Sequence, residues 1–240
     1  MPVINENRIQ AQKITEQMIE GNISHNTSPQ VGTRIIKRKS AYLFMKRIGD
    51  IVSASLGLVL LSPLFLAVAV AIKLDSKGPV FFTHTRIGQN STELRLYKFR
   101  TMRPNAAELF SQFTPEQKKE FEENYKLDND PRITRIGGFL RGTSLDELPQ
   151  LLNILQGNLS IVGPRPLVEK EIDKYGADKF RLLSVKPGLT GNWQVNGRNS
   201  TTYEERMALE LYYVDNASLW FDIKILLQTV PAVMLKIGAK

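Results

Sequence analysis

Residues 51–72 read IVSASLGLVLLSPLFLAVAVAI, an uncharged apolar stretch whose polar members are only Ser53, Ser55 and Ser62. Drawn as one helix it runs ~33 Å, enough for a hydrocarbon core of about 30 Å. By composition it is a membrane segment, set against the plainer reading of a buried helix in a soluble protein. Ser62-Pro63 falls at its midpoint. Pro63 has no N–H, which frees the carbonyl of Val59, and the Ser62 hydroxyl is placed to take up that local hydrogen bonding. Bent there, the segment becomes two arms of ~16 Å that reach about halfway across a bilayer and return.

The flanks bear on the same question. Arg34, Lys37, Arg38, Lys39, Lys46 and Arg47 precede the segment, and Lys73, Lys77, Arg86, Arg95 and Lys98 follow it. Basic clusters mark the cytoplasmic side of a membrane, so clusters on both flanks fit a segment that enters and leaves through one face. A Pro-kinked spanning helix is the competing geometry, and the residues alone leave the two open.

The rest of the chain is that of a globular protein. It has 240 residues, 42% of them hydrophobic, and a formal charge of +8. Such a balance favours anionic partners: nucleic acid, anionic lipid or phosphorylated substrates. No helix-turn-helix, zinc-finger or RNA-binding signature is present, which argues against nucleic acid. The absence of cysteine excludes disulfides, thiol catalysis and cysteine-ligated metals. Residues 1–40 form a polar arm with a short helix expected around Ile9–Ile19, and no cleavable signal peptide is expected there.

Beyond the apolar segment, Gly78-Pro79-Val80-Phe81-Phe82 reads as a turn and short strand, and Leu94–Phe99 as a second strand. Surface helices are expected over Asn105–Asn124, with a break at Asn129-Asp130-Pro131. Leu148, Leu151, Leu152 and Leu155 recur at helical spacing, which predicts one helix over Leu145–Gln156 stopped by Gly157. A strand over Leu159–Val162 leads into a rigid Gly163-Pro164-Arg165-Pro166 loop. Helices follow over Leu167–Leu183 and Thr202–Tyr213, separated by a Gly-containing loop at Lys186–Arg198. An amphipathic helix over Ser218–Ile237, interrupted by Pro231, packs on the core or lies on a membrane surface. The fold class is α+β, mainly helical with a few short strands.

Candidate chemistry gathers in the middle of the chain. Asp146-Glu147 opens the leucine-striped helix, where Ser144 and Glu147 match a capping box and the helix dipole favours ionised carboxylates. Ionised carboxylates also serve as nucleophiles or metal ligands. Arg165 lies between two prolines, which pre-set the backbone of a side chain suited to bidentate phosphate binding. Lys98-Phe99-Arg100-Thr101-Met102-Arg103, with Arg132, Arg135 and Arg141, makes a basic run of the kind that is usually a solvated face. The Lys186–Arg198 loop offers close backbone approach at Gly191, a stacking ring at Trp193 and directed hydrogen bonds from Gln194, Asn196 and Arg198, a set that suits a nucleotide diphosphate. His25 and His84 lack metal-pair spacing and read as incidental.

Taken in order, these motifs resemble the bacterial sugar transferase family, the monotopic phosphoglycosyl transferases that start glycan assembly on polyprenyl phosphate. The resemblance covers about Lys46 to Lys236. It rests on Lys46-Arg47, Ser62-Pro63, Gly78–Phe82, Arg86-Ile87-Gly88, Tyr97–Met102, Asp130–Thr134, Ser144–Gln150, Gly163–Pro166, Lys186–Arg198 and Tyr212-Tyr213-Val214. It implies a monotopic membrane protein in which Ser62 and Pro63 break a re-entrant helix-break-helix over residues 41–75, with a cytoplasmic catalytic domain over 76–240 at the bacterial inner membrane. It further implies that Asp146 is the nucleophile, with Glu147 beside it as partner in binding Mg²⁺. Arg165, Arg100 and Arg86 are the implied phosphate-binding residues, and Gly191, Trp193, Gln194, Asn196 and Arg198 the nucleotide-binding ones. The implied substrates are a UDP-sugar and undecaprenyl phosphate, with UMP released and galactose or glucose favoured. A homodimer is compatible with the resemblance. Longer relatives carry a multi-span region upstream, so a stand-alone catalytic unit is expected here.

Overall fold

The structure is a computed structural model that describes residues 38–124, 127, 129–197 and 201–234. The expected Ile9–Ile19 helix and Arg198 lie outside the described residues.

Two helices open the fold, α1 over Ser40–Leu60 and α2 over Ser62–Asp75, bent by 60° at the break between them. The bend has the cause read from the sequence. Ser62 Oγ donates to Val59 O at 2.8 Å, occupying the carbonyl that Pro63 does not bond. No single described helix is long and apolar enough to cross a membrane. The first arm begins earlier than the apolar segment, and its leading half belongs to the globular domain. Lys46 Nζ reaches Asp222 at 2.9 Å, and Arg47 donates to the carbonyls of Ile154 and Leu155 at 2.6 and 2.8 Å. Asp50 is buried and accepts from Ser160 Oγ and Ile161 N at 3.0 and 2.9 Å.

One face of each arm also packs inward. Ala54, Leu58 and Leu61 join a core with Leu94, Leu96, Leu151, Ile154 and Leu159. On the second arm, Val68 and Ile72 pack with Phe99 and Leu140. The outward faces remain apolar, with Val59 71%, Leu60 74% and Leu66 68% exposed. Patches of that kind need a cover of matching polarity.

Strands β1 (Phe81–Ile87) and β2 (Glu93–Phe99) form an antiparallel hairpin, so the first strand runs five residues past the expected Phe82. Short helices α3 (Ala106–Ser111) and α4 (Pro115–Asn124) follow, as expected. Arg132 is held there by Asp130 at 2.6 Å, with Phe110, Phe113 and Phe121 about its guanidinium at 4.9–5.1 Å. Next come α5 (Arg135–Thr143), a 3-10 turn over Leu145–Glu147, and α6 (Gln150–Gln156). The single helix expected over Leu145–Gln156 is thus split, because Pro149 cannot donate to a preceding turn and α6 starts after it.

β3 (Ser160–Val162) pairs in parallel with β4 (Gly188–Thr190). The helix expected over Leu167–Leu183 is instead α7 (Glu169–Asp173), a 3-10 turn and α8 (Lys179–Leu182), broken where Gly176 takes φ 52°. The Lys186–Arg198 segment is β4 followed by α9 (Asn192–Val195), more ordered than the expected loop. Finally α10 (Tyr203–Asn216) and α11 (Leu219–Met234) close the core. The α+β class, mainly helical with short strands, stands.

Candidate active site

The carboxylate pair is set by a backbone turn. Ser144 ends α5 in the left-handed region, at φ 58° and ψ 16°, and its side chain makes no cap bond. The expected capping box is therefore absent. Instead the left-handed residue redirects the chain so that Leu145 and Leu148 enter the core with Phe99 and Leu140. Asp146 is left 8% exposed between them. Nor does Asp146 sit in the first turn of a long helix, where a dipole would favour its charge: it lies in a 3-10 turn ahead of α6.

What charges the site is the hairpin. Asn153 of α6 takes the place of a strand partner along β2, accepting from Tyr97 N at 2.9 Å and donating to Arg95 O at 2.7 Å. That lock brings Lys98, the next inward residue of β2, to the dyad. Its Nζ lies 2.7 Å from Glu147 Oε1 and 3.7 Å from Asp146 Oδ2. Arg141 approaches from α5, its Nε donating to Thr101 Oγ1 at 2.9 Å. Close packing of α5 requires Gly137, where a Cβ would stand 2.0 Å from Thr101 O. Burial pushes the Asp146 carboxyl above its ordinary range; Lys98 and Arg141 oppose that shift, and Glu147 adds to it.

Arginines complete the site. Arg86 shares its strand face with His84 and is paired to Glu171 at 3.5 Å. Burial first, and Arg165 next, push the Arg86 guanidinium down to about 10, with Glu171 and Glu147 acting the other way. His84 lies in the same field: burial, then Arg86, Lys98 and Arg165, hold it neutral with a value of about 4. Arg165 is presented by the β3–β4 crossover. Gly163 N donates to Thr190 O at 2.9 Å and Gly188 N to Pro164 O at 2.8 Å. A Cβ on Gly188 would stand 2.1 Å from Gly163 N, so only glycine permits the approach.

Two groups of expected site residues have a setting that the sequence did not show. Arg100 is buried, and its guanidinium is committed to Pro79 O at 2.6 Å, Ser76 Oγ at 2.7 Å and Ser76 O at 2.9 Å. It braces the α2–β1 connection, a placement that does not suit phosphate binding. Gly191, Trp193, Gln194 and Asn196 are buried, not displayed on an open loop. Arg206 covers the Trp193 ring at 4.4 Å, so that ring is no free platform for a base. Asn196 Nδ2 is spent on Asn192, and the residue lines a cavity of about 260 Å³ with Tyr212, Trp220 and Lys224, none of which belongs to the Asp146 cluster.

The structure therefore sets Arg86 in the field of Glu147 and Arg165 beside Arg86, and adds Lys98, Arg141 and His84, which a reading of the sequence places in a solvated run or takes as incidental. The signal for Lys98 lay in strand alternation: Leu94 and Leu96 are core residues, and Lys98 continues their face.

The model of the bacterial sugar transferase family matches residues 41–236. The chain belongs to that family. This transferase is 45% identical over 197 residues to the exopolysaccharide production protein ExoY of Rhizobium meliloti, covering 81% of the chain and 87% of that relative. It is 42% identical over 213 residues to the undecaprenyl-phosphate galactose phosphotransferase of Salmonella typhimurium, covering 88% of the chain and 44% of that relative. With the UDP-glucose:undecaprenyl-phosphate glucose-1-phosphate transferase of Escherichia coli it shares 42% identity over 195 residues, 78% of the chain and 39% of that relative. The transferase thus spans most of one such relative and under half of the others.

Among the described residues no cluster of three or more His, Cys, Asp or Glu side chains exists. Mg²⁺ needs no such cluster, since it is held by one or two carboxylates together with substrate phosphates and water. The Asp146–Glu147 pair, hard oxygen donors beside a cationic field, fits that pattern.

Proposed function

We propose that the transferase moves a hexose 1-phosphate, galactose or glucose, from a UDP-hexose to undecaprenyl phosphate and releases UMP. The observation that carries this reading is one buried carboxylate, Asp146, with Lys98 and Arg141 in its field and Glu147 beside it, while Arg86 lies in the field of Glu147 and Arg165 next to Arg86. Phosphoryl transfer asks a protein mainly for positioning and for offsetting negative charge, and this arrangement offers both. The names of the Salmonella and Escherichia coli relatives support the acceptor and the two hexoses.

The reaction has two displacements. An Asp146 carboxylate oxygen attacks the sugar-linked phosphorus, a new P–O bond forms, and the bridging P–O bond breaks with its electron pair leaving on UMP. A phosphate oxygen of undecaprenyl phosphate then attacks the same phosphorus, the Asp146–phosphorus bond breaks, and the carboxylate is restored. Two steps suit a soluble donor and a lipid acceptor that need not meet. Arg86 and Arg165 hold the diphosphate oxygens, and Lys98 offsets the burial of Asp146. Mg²⁺, held by Asp146 and Glu147, would supply further neutralisation of phosphate charge.

The same reading places α1 and α2 in the cytoplasmic leaflet as a re-entrant hairpin, with the catalytic domain in the cytoplasm. The 60° bend and the exposed apolar outer faces support this, and α2 at ~21 Å is shorter than the hydrocarbon core.

The test is product analysis with UDP-galactose, UDP-glucose and undecaprenyl phosphate. UMP and a lipid-linked diphosphosugar are expected, with a phosphohexose adduct on Asp146 by mass spectrometry. Release of UDP, or full activity of Asp146→Asn, would remove the proposal.

A further inference from the structure

Behind Arg86 and Arg165 lies a second layer of charge. Glu171 Oε2 is 3.5 Å from Arg86 Nη1, while its Oε1 accepts from Arg206 Nη1 at 3.1 Å. Glu210, 1% exposed, accepts the backbone N–H of Arg165 at 3.1 Å. Arg206 and Glu210 stand one turn apart on the buried face of α10. The Arg206 guanidinium lies 4.4 Å from the Trp193 ring and 5.6 Å from that of Tyr203, and Arg165 lies 5.8 Å from the same Trp193 ring. Tyr203 in turn donates to Glu171 O at 3.0 Å. Guanidinium and carboxyl groups therefore alternate: Arg86, Glu171, Arg206, Glu210, Arg165.

The alternation answers a physical difficulty. A donor diphosphate requires Arg86 and Arg165 close together, yet in its absence two half-buried guanidinium groups repel. Carboxylates set behind them offset that repulsion without occupying the donors that face the substrate. A buried carboxylate itself needs a fixed cation, and a guanidinium stacked on two rings is a rigid one. Among the described residues, Arg206 Nε and Nη2 and Glu210 Oε2 make no hydrogen bond, so packing and charge, not a saturated bond network, hold this layer.

We propose that Glu171, Arg206 and Glu210 form a positioning unit that fixes Arg86 and Arg165 for the donor diphosphate, with Arg206 as its centre. The proposal rests on the phosphohexose-transfer reading above. None of the three residues touches the reacting atoms; each acts through another side chain.

The experiment uses the full chain with UDP-hexose and undecaprenyl phosphate, measuring kcat and KM for the donor beside Tm. Arg206→Lys keeps the charge but loses the fork and the stacking. It is expected to lower kcat/KM by about 10–100-fold, the scale of a small misplacement of a catalytic group, mainly through KM for the donor. Glu210→Gln retains an acceptor for the Arg165 N–H without the charge and should recover part of what Glu210→Ala loses. In an Arg165→Ala background Glu210→Ala should add little, because its effect passes through Arg165. Unchanged donor KM in Arg206→Lys, or a Glu210→Ala loss that adds in full to Arg165→Ala, would overturn the proposal. Should Arg206→Lys not fold, the Gln–Ala comparison at 210 still decides. Absence of UMP release by the unaltered protein would instead defeat the underlying reading.

Discussion

Lys98 Nζ stands 2.7 Å from Glu147 Oε1, across the gap between strand β2 and the 3-10 turn that carries Asp146. This contact couples the hairpin to the dyad and offsets the burial that raises the Asp146 carboxyl. Lys98→Met should therefore move Asp146 further up, so that the acidic limb of the pH–rate profile shifts to higher pH. Activity at neutral pH should fall by about 100-fold, the scale of removing one charge-stabilising donor. Lys98→Arg, which keeps the charge, should move the limb far less. A limb unmoved in Lys98→Met would show that Lys98 does not set the ionisation of the dyad.

Asp146 also costs the fold stability. A carboxyl raised on folding contributes stability that is fully present below its unfolded value and is lost as pH rises through the raised folded value. The ionised form of Asp146 is thus a destabilising group kept for chemistry. Asp146→Asn should abolish transfer and raise Tm, by about 2–4 °C for each kcal/mol relieved. The gain should shrink on acidification, as the native carboxyl becomes neutral. Thermal unfolding of both proteins at pH 7.5 and at the lowest pH where both remain soluble measures this.

Ser144 is a left-handed residue without glycine's freedom, at φ 58°. The conformation costs a non-glycine residue about 1–2 kcal/mol, and here it aims the Asp146 turn into the site. Ser144→Gly should retain the turn and most of the activity while holding or raising Tm. Ser144→Val, β-branched and least tolerant of positive φ, should lower both activity and Tm. A valine variant with native activity would mean that the turn does not depend on this backbone angle.

Much of this site was legible from residue type and spacing, and the remainder depended on burial. Asp146-Glu147 and Arg165 stand out because the carboxylate pair opens a leucine-striped segment and the arginine is flanked by prolines. The Ser62-Pro63 break could be read because its cause is local, a missing N–H and a nearby hydroxyl. Lys98, Arg206 and Glu210 were hidden for the opposite reason: a charged residue normally faces water, and only the packing of β2 and α10 turns these inward. Arg100 misled in the same way, since a basic run does not reveal which guanidinium is spent on backbone carbonyls. Leucine periodicity alone does not show the split of Leu145–Gln156, which Pro149 imposes by its missing N–H. Trp193 reads as a stacking ring in a glycine-containing loop, whereas Gly188 and Gly191 of that loop serve close backbone packing against Gly163.

The helix pair α1–α2 gives a topological prediction that the absence of native cysteine makes simple to test. Cysteines placed singly at Lys39, before α1, and at Lys77, after α2, flank the bent pair on its two sides. In a re-entrant hairpin both flanks share one face of the membrane, so a membrane-impermeant thiol reagent should label both from the cytoplasmic side of inverted vesicles and neither in right-side-out vesicles. A spanning helix would place the two flanks on opposite faces and label one in each preparation. Because Lys46, Arg47 and Asp50 bind the leading half of α1 to the globular domain, the Lys39 position must lie on the same side as Asp146. Labelling of Lys77→Cys alone from the opposite face would therefore overturn the hairpin while leaving the catalytic assignment to be judged on its own.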